Sequence, residues 1–241
     1  MQDVVAVGVG VAIALAFQML CSTLATRGIL GVADARKLMH IGMGPLYVAT
    51  WLLYSDAPSA RWACALIPLS FTAKFAAIGL GIIADPEAVA TMSRSGEAHE
   101  LLRGPTLYGI VFVAATLTAW RETPEGVVAV MLLCGGDGFA DVVGRRLGAL
   151  SGPLPWSPRK SWAGSAAMLI AGWAFAWAAA ATFAGAGLMA PGAANPLPIF
   201  CISLIATAVE SLPVSDLDNV TVAVTAAAAG HVLRLAGLWR C

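Results

Sequence analysis

The sequence predicts an all-α, polytopic membrane protein with seven or eight transmembrane helices. Apolar residues make up 59% of the 241 residues and charged residues only 12%, whereas roughly 25% of the residues of a soluble domain are charged. Several apolar segments also approach the roughly 20 residues that a helix needs to cross a bilayer. The net charge is zero, so the basic surface of a nucleic-acid-binding protein is not expected.

The predicted helices follow one another with short connections. The first segment contains a single early charge, Asp3, and lacks the basic start of a cleaved signal peptide, so we expect it to be a retained span. The fifth and seventh segments are short before acidic residues interrupt them. We find no internal repeat and no long linker, so we expect one integral-membrane domain over residues 1–241. The eight segments are 4–25, 38–54, 62–83, 105–120, 126–143, 162–185, 196–212 and 220–238.

Basic residues are concentrated in alternate loops. With eight spans, the loops after the first, third and fifth spans carry nine Lys and Arg residues and the other face carries four. Because cytoplasmic loops are enriched in basic residues, this favours an external N-terminus. The polar segments lie on the same side, so we expect the active face to be cytoplasmic, in a prokaryotic cell membrane. The nine are Arg27, Arg36, Lys37, Arg94, Arg103, Arg145, Arg146, Arg159 and Lys160.

The segment "GGDGFADVVGRRLG" is the first candidate site. Asp137 and Asp141 are four residues apart, which places both carboxylates on one face of a helix, where they repel each other. Mg²⁺ suits such a pair, because it takes one or two carboxylates and completes its shell with water and phosphate oxygens. We expect a glycine-rich turn here, in which Gly135, Gly136 and Gly138 supply backbone freedom and allow close approach. Arg145 and Arg146 are candidates either for phosphate binding or for anchoring at anionic headgroups.

The segment "SPRKSWAGS" is the second candidate site. Ser161 is predicted to cap the helix of the sixth span, and free N–H groups at a helix N-terminus bind anions. Lys160 adds a positive charge beside them, while Gly164 and Ser165 keep the first turn small and hydrogen-bonding. The pattern of a Walker A loop is not present. A phosphate-binding helix start is therefore expected.

The segment "ESLPVSDLDN" is acidic and has no basic neighbour. Such a loop between apolar helices either binds a cation or faces water. Glu210, Asp218 and Asn219 are thus candidates for a second metal contact or a general base.

The segment "ARKLMHIG" has Arg36 and His40 four residues apart, with Lys37 beside them. These side chains are candidates for phosphate or acceptor contacts, or for anchoring at the interface. Lys74 lies inside the third span and either has a function there or reaches the interface. The odd number and wide spacing of the five cysteines fit neither a disulfide framework nor a zinc site.

Taken in order, these segments resemble the motifs of the phytol kinase branch of the dolichol kinase family. The resemblance runs from about residue 36 to residue 224 and includes "RKLMHIGMG", "SRSGEAHELLRGP", "GGDGFADVVGRRLG", "RKSWAGS" and "VESLPVSDLDNVTV". It implies a multi-pass enzyme that transfers the γ-phosphoryl group of a nucleoside triphosphate, typically CTP, to an isoprenoid alcohol. Phytol, geranylgeraniol, farnesol and dolichol are the candidate acceptors, and Mg²⁺ is the implied metal.

The resemblance also implies a role for each matched residue. The nucleotide and metal block is Asp137, Gly138, Asp141, Gly144 and Arg145; the phosphate block is Lys160, Ser161, Gly164 and Ser165; the C-terminal acidic block is Glu210, Asp218 and Asn219. Asp137, Lys160 and Asp218 are the predicted catalytic residues, and Asp137, Asp141 and Glu210 the predicted metal ligands. "SDLDN" is shorter than the double-Asp form of the family's last block, which leaves Asp218 the weakest match.

Two other functions remain open at this point. A membrane cytidylyltransferase would use the same nucleotide and metal to make a CDP-lipid. A transporter would also place charges among helices, but near mid-membrane and with broken helices or repeats. The "KSWAGS" block resembles the kinase branch more than the cytidylyltransferases, and the clustering of charges at one face argues against a transporter. The oligomeric state does not follow from the sequence.

Overall fold

The computed structural model describes residues 1–213 and 218–240, and that part of the chain is helical apart from one small hairpin. The all-α prediction is confirmed. Contacts group the chain into two compact units, Met1–Leu117 and Thr118–Cys241. The expectation of one domain over residues 1–241 stays a prediction.

The first unit contains five helices, some of which begin at residues that cap them. Asp85 precedes α4, accepts a hydrogen bond from the Ala88 N–H and is followed by Pro86, which suits the first turn. Short 3₁₀ turns lie at Trp51–Leu53 and Ala98–Leu102. The helices are α1 (Gln2–Thr26), α2 (Val32–Thr50), α3 (Ala60–Gly79), α4 (Pro86–Met92) and α5 (Gly104–Thr118).

Two sets of polar contacts, one partly buried and one buried, link distant segments of the first unit. The Asp3 carboxylate in α1 accepts hydrogen bonds from the Ser55 N–H and hydroxyl, at 2.8 and 2.9 Å. The Tyr47 hydroxyl in α2 lies 2.7 Å from Thr116 Oγ1 in α5. Since a buried hydrogen bond is lost if either partner changes, these contacts fix which helices are neighbours.

Lys74 has a partner just beyond the end of its helix. Its ammonium lies 2.9 Å from Asp85 Oδ2, and its side chain is 45% exposed. The Ala88 N–H and then Lys74 hold the pKa of Asp85 below its usual range. The structure favours the interpretation in which the Lys74 side chain reaches out of the apolar region toward the interface over a function of Lys74 inside the span.

The second unit is built on a long helical segment that runs from Pro124 to Ser151. It consists of α6 (Pro124–Met131), a π-helical stretch (Leu132–Asp137) and α7 (Gly138–Ser151). The turn expected at Gly135 and Gly136 is therefore wrong, whereas the close approach expected at these glycines is present. Both glycines are buried against Phe175 and Met168 of the neighbouring helix, so the missing side chains admit close packing instead of a bend.

A short hairpin and three further helices complete the second unit. Gly152 ends α7 with a φ of +77°, which only glycine adopts without strain. A 3₁₀ turn lies at Pro191–Ala194. The elements are β1 (Pro153–Leu154), β2 (Ser157–Ser161), α8 (Trp162–Gly185), α9 (Pro196–Glu210) and α10 (Asp218–Leu235), and the two strands pair antiparallel.

Five helical segments in the described part of the chain are long and apolar enough to cross a membrane. Helix α2 is not among them, since Asp34, Arg36 and Lys37 lie in its first turns. The membrane class is confirmed, but the count of seven or eight spans is not. The five are Gln2–Thr26, Ala60–Gly79, Ala98–Thr118, Pro124–Ser151 and Trp162–Gly185, and the shorter apolar helices are Pro196–Glu210 and Asn219–Leu235.

Candidate active site

The two aspartates of the first candidate block lie on one continuous helical segment, as predicted. Asp137 ends the π-helical stretch, and Asp141 lies in the first turn of α7. Asp141 Oδ2 accepts from Arg145 Nε at 3.1 Å, and the two side chains are 36% and 40% exposed. The Asp141 charge is thus compensated by an arginine, and a ligand from water can reach both groups.

Glycines bring α7 against the start of α8. A Cβ atom added at Gly164 would lie 3.1 Å from the Ala140 carbonyl oxygen and 3.4 Å from the Gly144 Cα atom. These distances are too short for most side chains, so the two helices approach at Gly144 and Gly164. The glycines place the aspartate block beside the phosphate block, and their own contact with phosphate stays a prediction.

The N-terminus of α8 is arranged differently from the expectation. Ser161 caps the helix as predicted, since its hydroxyl accepts from the Gly164 N–H at 3.2 Å. However, the Trp162 N–H donates to the Gly152 carbonyl at 3.3 Å and the Ala163 N–H to the Ser151 hydroxyl at 3.0 Å. The expectation of free N–H groups is wrong for Trp162, Ala163 and Gly164. Ser161 caps Gly164, and the hairpin brings the end of α7 to the other two. These N–H groups are therefore not available to the predicted phosphate, and side chains are left as its candidate partners.

Ser165, a member of the predicted phosphate block, carries a buried hydroxyl. Its hydroxyl oxygen is buried and has no hydrogen-bond partner among the described residues. A buried hydroxyl in this state costs about 1–3 kcal/mol. Such a group next to the predicted phosphate block fits a site that a ligand completes.

Lys160 and Glu210 are brought together by the fold. The Lys160 ammonium lies 2.8 Å from Glu210 Oε1 and also donates to the Glu210 main-chain carbonyl. The two side chains are only 18% and 9% exposed. One residue on, Trp156 Nε1 donates to Ser211 Oγ at 3.2 Å. The hairpin that carries Lys160 is therefore attached to the end of α9.

The predicted metal site is supported only in part by the arrangement. Among the described side chains, no three His, Cys, Asp or Glu residues form a group that could hold a metal. Glu210 pairs with Lys160, so the predicted set of Asp137, Asp141 and Glu210 is not assembled. The aspartate pair by itself still fits Mg²⁺, which takes one or two carboxylates. The Asp218 side chain lies outside the described residues, and Asn219 is half-buried at the start of α10.

Three other predicted side chains lie in the first unit. The guanidinium of Arg36 donates to the Ser93 carbonyl at 2.9 Å. The ring of His40 packs on that of Tyr108, with centroids 4.7 Å apart, and Lys37 is half-buried nearby on α2. Arg36 thus has a structural contact, and phosphate or acceptor binding by these three residues stays a prediction. Arg146 in the second unit is exposed, as either of its predicted roles requires.

Sequence reasoning missed a buried ion pair in the second unit. Glu125 Oε1 in α6 lies 2.6 Å from Arg234 Nε in α10 and 3.9 Å from His231 Nδ1. The Glu125 side chain is 6% exposed. The signal was an acidic residue at the start of an apolar segment, but the partner lies 109 positions away.

Comparison with curated proteins identifies the family. The chain is 34% identical to phytol kinase 1 of Arabidopsis thaliana over 222 residues. This match covers 91% of this chain and 71% of that protein. It is also 34% identical to farnesol kinase of the same plant, over 97% of this chain and 76% of that protein. The chain belongs to the phytol kinase family. No protein-family profile and no solved structure matches it.

Other members of the phytol kinase family match over a smaller part of their length. A probable phytol kinase of Triticum aestivum is 39% identical over 78% of this chain, and one of Glycine max is 36% identical over 83%. The chain spans 63% and 66% of these two proteins, slightly less than two thirds. All of these relatives are named chloroplastic plant proteins, which does not support the expectation of a prokaryotic membrane.

Proposed function

We propose that the chain transfers the γ-phosphoryl group of a nucleoside triphosphate, expected to be CTP, to the hydroxyl of an isoprenoid alcohol. The observation that carries the proposal is the match to a phytol kinase and a farnesol kinase over 91% and 97% of the chain. Phytol and farnesol share a primary hydroxyl on an apolar isoprenoid tail. Geranylgeraniol and dolichol have the same chemistry and are further candidate acceptors.

The reaction needs positioning and charge more than covalent help from the protein. The alcohol oxygen forms a bond to the γ-phosphorus while the bond from that phosphorus to the β–γ bridging oxygen breaks. The nucleoside diphosphate leaves, and the hydroxyl proton passes to a base, for which Asp218 is the candidate. Because charge is spread over the transferred group, cations at its oxygens lower the barrier.

The residues of the second unit supply those charges. Lys160 lies just before α8 and Arg145 lies in α7, and these two helices meet at Gly144 and Gly164. Asp137 and Asp141 would hold Mg²⁺, which when bound neutralises charge on the phosphate oxygens. Lys160 lies just before α8 and Glu210 at the end of α9, where a lipid hydroxyl would meet water, whereas Asp137 lies midway along the Pro124–Ser151 segment. The nine-to-four distribution of basic residues favours the cytoplasmic face for the end that carries Lys160.

The position of the label that reaches the lipid tests the proposed reaction. Purified protein receives Mg²⁺, CTP labelled at either the α- or the γ-phosphorus, and as acceptor either one of the four alcohols or its monophosphate, which a cytidylyltransferase needs to form a CDP-lipid. A kinase transfers only the γ label and makes a lipid monophosphate. A cytidylyltransferase transfers only the α label and releases pyrophosphate. Parallel reactions with ATP and UTP identify the nucleotide, and a chain that transfers neither label refutes the proposed function.

Lys160→Ala tests which substrate the phosphate block serves. A charge-assisted contact contributes roughly 1.5–3 kcal/mol, so its loss should lower kcat/KM for the nucleotide at least about tenfold. KM for the alcohol should change little, and Lys160→Arg should recover only part of the activity because a planar guanidinium does not replace a compact ammonium. Arg159→Ala removes an exposed neighbouring charge and is the matched control. Impairment mainly for the alcohol would show that the block serves the acceptor.

A further inference from the structure

The contact between Lys160 and Glu210 gives the acidic residue a function other than metal binding. We propose that Glu210 is a positioning residue that holds the Lys160 ammonium where it meets the phosphate groups of the nucleotide. This inference rests on the proposed function and deepens it. It replaces the expectation that Glu210 is a ligand of the metal.

Two acceptors of one residue define the position of the ammonium. Lys160 Nζ donates to Glu210 Oε1 at 2.8 Å and to the carbonyl oxygen of the same residue. A lysine side chain has a flexible four-carbon stem and loses much rotamer freedom when it binds a ligand. Because Glu210 holds the stem in one conformation beforehand, less of that freedom remains to be lost when phosphate binds.

The main chain on both sides of the contact is also fixed. Glu210 is the last residue of α9, and the next residue, Ser211, accepts from Trp156 in the turn of the hairpin. The other end of the hairpin is tied to the start of α8, where the Trp162 N–H donates to the Gly152 carbonyl. The end of α9 therefore determines where Lys160 lies relative to α7 and α8.

The same contact argues against Glu210 as a metal ligand. An ammonium 2.8 Å from Oε1 occupies the coordination side of the carboxylate and repels a divalent cation. No described carboxylate, imidazole or thiol joins Glu210 in a group of three. The side chain is also only 9% exposed, which leaves little room for the water molecules that Mg²⁺ usually keeps.

Glutamine at position 210 distinguishes the positioning of Lys160 from the binding of a metal. An amide oxygen can accept the hydrogen bond from Lys160, but it lacks the negative charge of a magnesium ligand. Glu210→Gln should therefore keep the Mg²⁺ dependence close to that of the parent and bind CTP more tightly than Glu210→Ala, because the amide still holds the ammonium. Glu210→Ala removes the side-chain acceptor and should weaken CTP binding about tenfold, with the Mg²⁺ dependence unchanged. Glu122→Gln, an exposed carboxylate of the same unit, is the matched control.

The experiment measures equilibrium binding of CTP to the purified full chain across a Mg²⁺ titration. In a Lys160→Ala background, Glu210→Ala should add no further loss, because the two residues act as one unit. This double variant also removes both charges, so it leaves no buried unpaired carboxylate. A Glu210→Gln protein that needs at least tenfold more Mg²⁺, or an undiminished effect of Glu210→Ala in the Lys160→Ala background, would overturn the proposal.

Binding and turnover distinguish this inference from the proposed function. A parent protein that binds CTP with the expected variant pattern, but labels no lipid, supports the positioning of Lys160 and refutes the kinase reaction. A parent that makes lipid monophosphate while Glu210→Ala leaves CTP binding unchanged supports the kinase and refutes the positioning.

Discussion

Replacement of Arg234 by alanine should destabilise the protein more than any loss of an exposed charge. The Arg234 guanidinium lies 2.6 Å from Glu125 Oε1, and the Glu125 side chain is 6% exposed. The second oxygen, Oε2, is buried and has no hydrogen-bond partner among the residues that the structure describes. Without Arg234, a carboxylate would remain buried with its main counter-charge removed.

The size of the stability loss follows from the burial of Glu125 and Arg234. Breaking a buried ion pair on one side costs about 3–5 kcal/mol. Arg234 is 35% exposed, so water can partly replace it and the lower end, about 3 kcal/mol, is expected. Removing both charges with Glu125→Gln and Arg234→Ala should cost much less, because no uncompensated charge is then buried.

Thermal unfolding in detergent, followed by tryptophan fluorescence, measures the effect. For a chain of this length, about 3 kcal/mol lowers Tm by roughly 6–12 °C. Arg240→Ala, which removes an exposed arginine near the same end of the chain, is the control. An Arg234→Ala protein that unfolds at the temperature of this control, or a double variant less stable than Arg234→Ala, would refute the reasoning.

Three further predictions concern the metal site, pH and sidedness. Asp137→Asn and Asp141→Asn should each abolish most lipid phosphorylation in a protein that still folds; near-parental turnover across a Mg²⁺ titration would exclude the residue as a ligand. The folded structure lowers the pKa of Asp85, so ionised Asp85 should stabilise the protein fully at pH values above the ordinary aspartate pKa. This stabilisation should be lost as the pH falls through the pKa of Asp85 in the folded protein. Asp85→Asn should remove that part of the acid dependence of Tm. A single cysteine placed in residues 149–157, which comprise the end of α7 and the hairpin turn, should react with impermeant reagents only from the cytoplasmic side when the native cysteines are replaced. Labelling from outside would reverse the topology.

Local signals predicted most of the long helices and the start of α8. The low charge and long apolar segments require that main-chain groups pair within helices, since a bilayer offers no alternative partner. Ser161 caps α8 as its sequence context indicated, because a serine hydroxyl reaches an N–H three residues on. The spacing of Asp137 and Asp141 likewise placed both carboxylates on one helix, since their separation depends only on helical geometry.

For the glycine-rich segment the close packing was predicted correctly and the turn was not, and the reason for the error lies outside the segment. Glycine permits both a turn and the close approach of two helices, and sequence alone does not distinguish them. Phe175 and Met168 of α8 pack onto Gly135 and Gly136, so the segment stays helical with a π-helical stretch. The use of the first N–H groups of α8 was equally hidden, because Ser151 and Gly152 meet them only after the hairpin forms.

The sequence by itself determined the membrane class, most helix positions and the chemical groups available to the site, because these depend on composition and on neighbours within a few residues. Only the tertiary structure decided which charges meet. Lys160 and Glu210 are 50 positions apart, and Glu125 and Arg234 are 109 apart. Each of these charges could serve a ligand, the solvent or another residue. Burial makes an unpaired charge costly, so the packing of helices selects the partner and, with it, the function that each residue is free to perform.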